Sequence, residues 1–507
     1  MSNRIRILAT SDVHGTIFPY GYADNMVRTE GFARLNTLIS SLRDENTLLL
    51  DNGDVLQGSA FTYFHYHRHP DLINPVTTVM REMGYDYINI GNHDFNYGPE
   101  ALMMHLQNVK APCITANFLW HKKPYGPTYV IREIAGKKIA LIGAVTQYIV
   151  NWETKAHLRD IAFTDAFESV RKSVQYVRKF EKPDYVIVMY HGGFERDPET
   201  GVKTEDNTGE DEAYKMLNQI AGIDILITGH QHRSMSGKKN GIVYTQTAEN
   251  GGELACIDIY PDSREITARL LKADTRADER ITSCVQSEED ECQEWLDQVI
   301  GTSTVDMKIT DQFDARFHKS QMVTFLNKVA LEASKAEIAS TCLFNDAAGF
   351  NKEITMRDLV NTYTFPNNLV VKKVTGTELK EYLEKTSEYW TVRADNTIGI
   401  SAGYEIPKPK HYNYDMLDGI EYTIHAGNPS GNRVTDITYN GEPLHEEWTY
   451  RLVLNNYRAN GGGDYFMLAK APVLKTIPYD MVTLLADYIL EHKVIDFEPV
   501  NNITVEH

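Results

Sequence analysis

Three observations predict an α/β fold of two domains joined by a connector. The first half alternates β-rich runs with helical stretches, the composition turns charge-rich near residue 272, and a second set of helices and short strands begins near residue 311. At 507 residues the chain is longer than one ordinary core accommodates. The expected boundaries are 1–270 for the first domain, 271–310 for a helical linker and 311–507 for an α+β second domain.

In the first domain, short β-branched runs predict strands at 4–9, 47–51, 87–90, 139–145, 185–190, 223–228 and 242–247. Helical periodicity predicts helices at 31–43 and 164–180. In the linker, Glu288, Glu289, Asp290 and Glu291 read as a solvated helix face. The second domain is expected to carry helices at 320–334 and 480–491 among short strands.

Hydrophobic residues make up 42% and charged residues 24%, an ordinary globular mixture. The longest uncharged apolar runs, such as 139–145, are strand-sized, so no membrane association is expected. The amino-terminal residues enter a strand pattern without a signal-peptide core, and the expectation is a cytoplasmic protein. Cys113, Cys256, Cys284, Cys292 and Cys342 form no Cys-x-x-Cys pair, which predicts free thiols and no thiolate zinc site. A net charge of −19 argues against a nucleic-acid polymer as partner. A small phosphate ester is compatible with it where bound cations reverse the local sign. No obligatory protein partner is predicted.

Five segments concentrate Asp, Asn and His: Asp12-x-His14, Gly53-Asp54, Gly91-Asn92-His93-Asp94, His191, and Gly229-His230-x-His232. Each follows the end of a predicted strand, where α/β folds gather ligands, so one mouth is expected to collect all five. Two divalent cations about 3.5–4 Å apart need a bridging carboxylate with His and Asp on either side. Asp12 and His14, two apart on an extended segment, are expected to point the same way. Asp54 follows a glycine that admits close backbone approach and is the natural bridge. Mixed imidazole and carboxylate ligands suit manganese, zinc, iron or cobalt better than magnesium or calcium. Each short motif alone is as well explained by a turn; their joint occurrence on strand ends is not.

These motifs resemble the calcineurin-like metallophosphoesterases, and in order and spacing the nucleotidase branch. The resemblance implies a four-layer α/β/β/α metallophosphoesterase domain, the connector, and a carboxyl-terminal α+β substrate-binding domain. It implies that Asp12, His14, Asp54 and His232 hold one metal ion, and that Asp54, Asn92, His191 and His230 hold a second. His93 then contacts the substrate phosphate and assists the leaving oxygen. In the second domain, Phe365 and Tyr457 correspond to rings that stack on the two faces of a nucleotide base; the neighbouring Asp464 is placed to hydrogen-bond a ribose hydroxyl. Base and phosphate would then be held by different domains, with hinge motion expected.

Two positions depart from the 5′-nucleotidase pattern. The catalytic histidine of those enzymes pairs with Asp three residues on, whereas this chain has Asn96, and the stretch 345–350 carries no Arg. Both features are similar to the 2′,3′-cyclic-nucleotide 2′-phosphodiesterase/3′-nucleotidase branch, as are Tyr412-Asn413-Tyr414-Asp415-Met416 and Asn456-Tyr457-Arg458-Ala459. That branch is the expected activity, with 5′-nucleotidase or nucleotide-sugar hydrolase as the alternative. A catalytically silent nucleotide sensor is the rival from another class, and the presence of all seven proposed ligands and His93 argues against it.

Overall fold

The computed structural model describes residues 4–204, 207–365, 367–406 and 408–507; Pro366, in the segment carrying Phe365, lies outside them. The chain divides into two compact units, 1–292 and 293–507.

The first unit is built on two sheets. In one, the order is Glu265–Lys272, Glu253–Tyr260, Ile5–Thr10, Thr47–Asp51 and Tyr87–Ile88. In the other it is Met235–Lys239, Ile242–Gln246, Ile225–Thr228, Tyr185–His191, Lys137–Val145 and Tyr129–Ile134. Side chains alternate across a strand, so each sheet offers one apolar set to the other. Ile5, Ile7, Leu48 and Leu50 share a core with Ile139, Leu141, Ile187 and Ile225. The opposite face of the second sheet, with Ala140, Ile142, Val186 and Val188, packs on Val170, Val174, Met216 and Leu217 from helices Ala166–Tyr176 and Ala213–Gln219.

The central strands are parallel and end nearly flush. Thr10 lies opposite Asp51, Asp51 opposite Ile88, Val145 opposite His191, and Thr228 opposite both Tyr190 and Gln246. This register delivers the loops after the strands to one edge. The strand expected at 87–90 is shorter, Tyr87–Ile88, and His191 is the last residue of its strand. The expected helix at 164–180 is Ala166–Tyr176 followed by a π turn, Val177–Glu181.

The acidic run is a solvated face only in part: Asp290 and Glu291 are exposed, whereas Glu288 and Glu289 turn inward. Glu289 is buried and accepts hydrogen bonds from Tyr20 Oη at 2.6 Å and Tyr22 Oη at 2.7 Å. Glu288 pairs with the buried His65 at 2.5 Å, and Glu291 with His69 at 3.2 Å. Composition alone could not show this, because the tyrosines and histidines lie more than 200 residues upstream.

The second unit centres on a mixed sheet ordered Asp415–Asp418, Ile338–Cys342, Thr449–Asn455, Asn368–Thr375 and Val473–Asp480, with helix Gln321–Ser334 against it. Strand Val299–Ser303 pairs with Glu353–Thr355 and Val494–Ile495, so part of the segment expected as a linker is sheet of this unit. All five cysteines are free, and no described helix is long and apolar enough to cross a membrane.

Candidate metal centre

The flush strand ends bring the five predicted segments together. The ligand atoms of Asp12, His14 and His232 lie within 4.8 Å of one another, and those of Asp54, His191 and His230 form a second such group. His191 Nε2 joins the two, 3.1 Å from Asp54 Oδ2 and 3.9 Å from Asp12 Oδ1. Asn92 Oδ1 lies 2.8 Å from His230 Nδ1, at the edge of the second group.

The backbone that aims these groups differs from the extended segment expected for Asp12 and His14. Asp12, His14, Asp54, His230 and His232 all have φ between 51° and 69°, the left-handed region that side chains other than glycine rarely occupy. Such strain persists where surrounding contacts over-determine it, and it clusters at functional sites. Here the contacts are visible: Asp12 N–H donates to Gly53 O and His14 N–H to Asp54 O, both at 2.9 Å. The buried carboxylate of Asp94 accepts four backbone N–H groups, from Asp54, Val55, Leu56 and Gly91. It ties the loop of Asp54 to the loop of Asn92 and His93.

Each histidine is oriented through its second nitrogen. His14 Nδ1 meets Gln57 O at 2.9 Å and His191 Nδ1 meets Asn52 O at 2.7 Å. His230 Nε2 meets Glu210 Oε1 at 3.0 Å, and His232 Nδ1 meets Glu249 Oε2 at 2.7 Å. Backbone or carboxylate partners on the far nitrogen are the usual support of metal-ligating histidines. Trp152 stacks on His230 with ring centroids 5.3 Å apart. Glu210, Glu249 and Trp152 escaped the sequence reading, since nothing local marks them; Asp94 was read as part of its motif, without this role.

A cation fits this donor set. Asp54 Oδ2 and His191 Nε2 are fully buried and have no hydrogen-bond partner of good geometry, although they face each other at 3.1 Å. Two such atoms left without partners would be costly unless a third group binds both. Charge points the same way. Burial opposes ionisation of His191, yet Asp54 and Asp12 outweigh it and push its pKa up to about 10. Burial likewise opposes His232, and Glu249 and Asp12 raise it to about 9. The pocket's carboxylates thus demand positive charge, which protonated histidines supply in the absence of a cation. His14, buried beside His232, is pushed down to about 4.

His93 is half-buried; its backbone N–H donates to Asp54 Oδ1 at 2.7 Å and its ring lies 5.3 Å from that of His14. His93 Nδ1 is 2.7 Å from Asn96 Oδ1. In the second unit, Phe365 is half-buried against Phe344, with ring centroids 5.0 Å apart. Tyr457, also half-buried, lies on Gly462, where a Cβ would come within 2.6 Å of the ring. Asp464 follows in the left-handed conformation at φ 68°. The loop is anchored by Arg458, whose buried guanidinium pairs with Asp415 at 2.5 Å and donates to Tyr412 O at 3.1 Å. This ion pair joins the two second-domain motifs singled out in the sequence.

The description of the calcineurin-like phosphoesterases matches residues 5–234, and that of the 5′-nucleotidase C-terminal domain matches residues 299–470. The chain is similar to the crystal structure of a putative 5′-nucleotidase from Staphylococcus aureus, with 34% identity and a TM-score of 0.94 over 99% of this chain and 100% of that one. It is 27% identical to the 2′,3′-cyclic-nucleotide 2′-phosphodiesterase/3′-nucleotidase of Salmonella typhimurium, over 90% of this chain and 81% of the relative. It is 25% identical, over 99% of its length, to the trifunctional nucleotide phosphoesterase protein YfkN of Bacillus subtilis, and spans 39% of that protein.

Proposed function

The chain belongs to the calcineurin-like phosphoesterases that carry a 5′-nucleotidase C-terminal domain, and we propose that within them it opens 2′,3′-cyclic nucleotides and then removes the 3′-phosphate. It is a metal-dependent nucleotide phosphoesterase of the 5′-nucleotidase family. The observation that carries the finer reading is Asn96: the group bonded to His93 is an amide where the 5′-nucleotidase pattern has a carboxylate. The similarity to the Salmonella typhimurium relative named for both activities supports it.

We assign one metal ion to Asp12, His14, Asp54 and His232, and a second to Asp54, Asn92, His191 and His230, with manganese, zinc, iron or cobalt as the metal. Bound there, two divalent cations supply Lewis-acid charge neutralisation and lower the pKa of an attacking water. Gln57 O, Asn52 O, Glu210 and Glu249 hold the four imidazoles in place, so the ligands need no reorganisation during turnover. His93 binds the phosphoryl oxygens through Nε2 and delivers a proton to the departing ribose oxygen. Phe365 and Tyr457 stack on the base, a contact worth about 1–3 kcal/mol per base and tolerant of its identity.

Rates on 2′,3′-cyclic AMP, 3′-AMP and 5′-AMP under added manganese, zinc or cobalt test the assignment. A clear preference for the first two is expected, and 5′-AMP as the best substrate would overturn it. The second reading, 5′-nucleotidase action, is favoured by the 34% identity to the putative 5′-nucleotidase of Staphylococcus aureus, and the same comparison decides between them.

A further inference from the structure

The departure at Asn96 has a structural counterpart 57 residues away. Asn96 Nδ2 donates to Glu153 Oε1, while Asn96 Oδ1 faces His93 Nδ1 at 2.7 Å. Glu153 is 9% exposed, and its second oxygen is held by His157 Nδ1 at 2.7 Å. It lies just past the 3₁₀ turn Gln147–Asn151 and is followed back along the chain by Trp152, the ring stacked on His230. One short segment therefore supports a proposed metal ligand with one residue and reaches the His93 network with the next.

We propose that Glu153 is the positioning carboxylate of His93, acting through Asn96. The inference rests on the reading of His93 as the residue that meets the substrate phosphate. A carboxylate only accepts hydrogen bonds, so Glu153 fixes the amide of Asn96 with its nitrogen outward and its oxygen toward the histidine. An amide oxygen also only accepts, so His93 must donate from Nδ1. The ring is thereby held in one orientation with Nδ1–H committed to Asn96, so that Nε2 faces substrate and carries the second proton of the imidazolium, the one delivered to the leaving oxygen. Donation to the carboxylate also polarises the amide and strengthens the bond His93 makes to it. The negative charge missing at position 96 is thus present, one amide further out. Without Glu153 the Asn96 amide could turn over, set its NH₂ against Nδ1–H and disfavour the doubly protonated ring that proton delivery needs.

Manganese-loaded enzyme is assayed on bis-p-nitrophenyl phosphate. H93A first tests the reading of His93 itself; unchanged turnover there overturns that reading, and with it the proposal, before Glu153 is touched. With that loss established, E153Q is expected to lower kcat about tenfold, as loss of an orienting carboxylate typically does, with KM and metal content unchanged. N96D/E153Q is expected to recover most of the kcat lost in E153Q, because the charge then lies at position 96 against His93 Nδ1 and an amide donates to it from behind. A merely structural Glu153 would leave the double variant as impaired as E153Q, and that outcome, or an unaltered kcat in E153Q, overturns the proposal. Ring ¹⁵N spectra of zinc-loaded wild type give a check that needs no variant: His93 must carry a proton on Nδ1, and one on Nε2 alone would equally overturn it.

Discussion

Asp94 holds the backbone of Asp54: its buried carboxylate accepts the Asp54 N–H at 3.0 Å while also accepting those of Val55, Leu56 and Gly91. Four charge-assisted bonds on one side chain fix the loop whose conformation aims Asp54, the carboxylate proposed to bridge the two ions. In D94N, half of the acceptor capacity becomes an NH₂ facing backbone N–H groups, which leaves buried donors without partners. A loss of about 3 kcal/mol in unfolding free energy is expected, from urea denaturation, together with weaker metal retention.

Gly91 has no room for a side chain. A Cβ there would lie 2.1 Å from Asp54 Oδ1 and 2.5 Å from the Asp54 nitrogen, and the second contact is backbone that no rotamer relieves. G91A should displace the Asp54 carboxylate by the better part of an ångström and reduce turnover on a nitrophenyl phosphodiester by about 100-fold. Elemental analysis of the purified variant should show metal loss in parallel, and full metal content with full activity would contradict the close approach.

Much of this cluster was legible in the sequence because its residues travel in short motifs after strands, and strands announce themselves by apolar runs. Asp12, His14, Asp54, Asn92, His191, His230 and His232 were singled out that way, and the structure brings them together. The backbone that presents them was not, since left-handed φ at Asp and His follows from the meeting of loops and not from local propensity. The supporting carboxylates were illegible for a related reason. Glu153 reaches Asn96 across 57 residues, and Glu289 meets Tyr20 across 269, separations on which periodicity is silent. Asn96 was visible as a departure from the 5′-nucleotidase pattern, but nothing in the sequence pointed from it to Glu153.

Arg458 and Asp415 form a nearly solvent-free ion pair beneath the Tyr457 loop. Burial alone would favour a neutral Arg458, and Asp415 overrides it, so the guanidinium stays charged. D415N removes the counter-charge and leaves a buried cation, which should cost about 3–5 kcal/mol. Denaturant unfolding followed by tryptophan fluorescence measures this, and base-dependent KM differences should fade with the loss of order around Tyr457.

The pair between Arg6 and Asp258 contributes to the acid limb of stability, alongside other depressed carboxylates such as Asp278. Burial raises the Asp258 carboxyl, but bonds from the Arg6 guanidinium at 2.7 and 3.0 Å outweigh it and hold its pKa below the ordinary value of 3.8. A carboxyl with a depressed folded pKa contributes stability that is fully present above its unfolded pKa and is lost as pH falls through the folded one. Stability should therefore decline below about pH 4, and D258N should be less stable at pH 7 with a shallower acid limb. Equal slopes in both proteins would assign the acid limb to other groups.

Asp12 and Asp54 are wholly buried, and metal removal leaves their charge to be balanced by protonated histidines alone. Cations bound to the folded site and not to the unfolded chain stabilise by mass action, by about 2.7 kcal/mol at a hundredfold excess over Kd. The thermal midpoint should rise with added manganese, fall on chelation and return when the ion is restored. D54N removes the ligand assigned to both ions, so its midpoint should no longer follow manganese concentration, even if the variant is as stable as the chelated wild type. A D54N midpoint that still climbed in step with wild type would place the stabilising ion elsewhere and dissolve the shared-carboxylate arrangement.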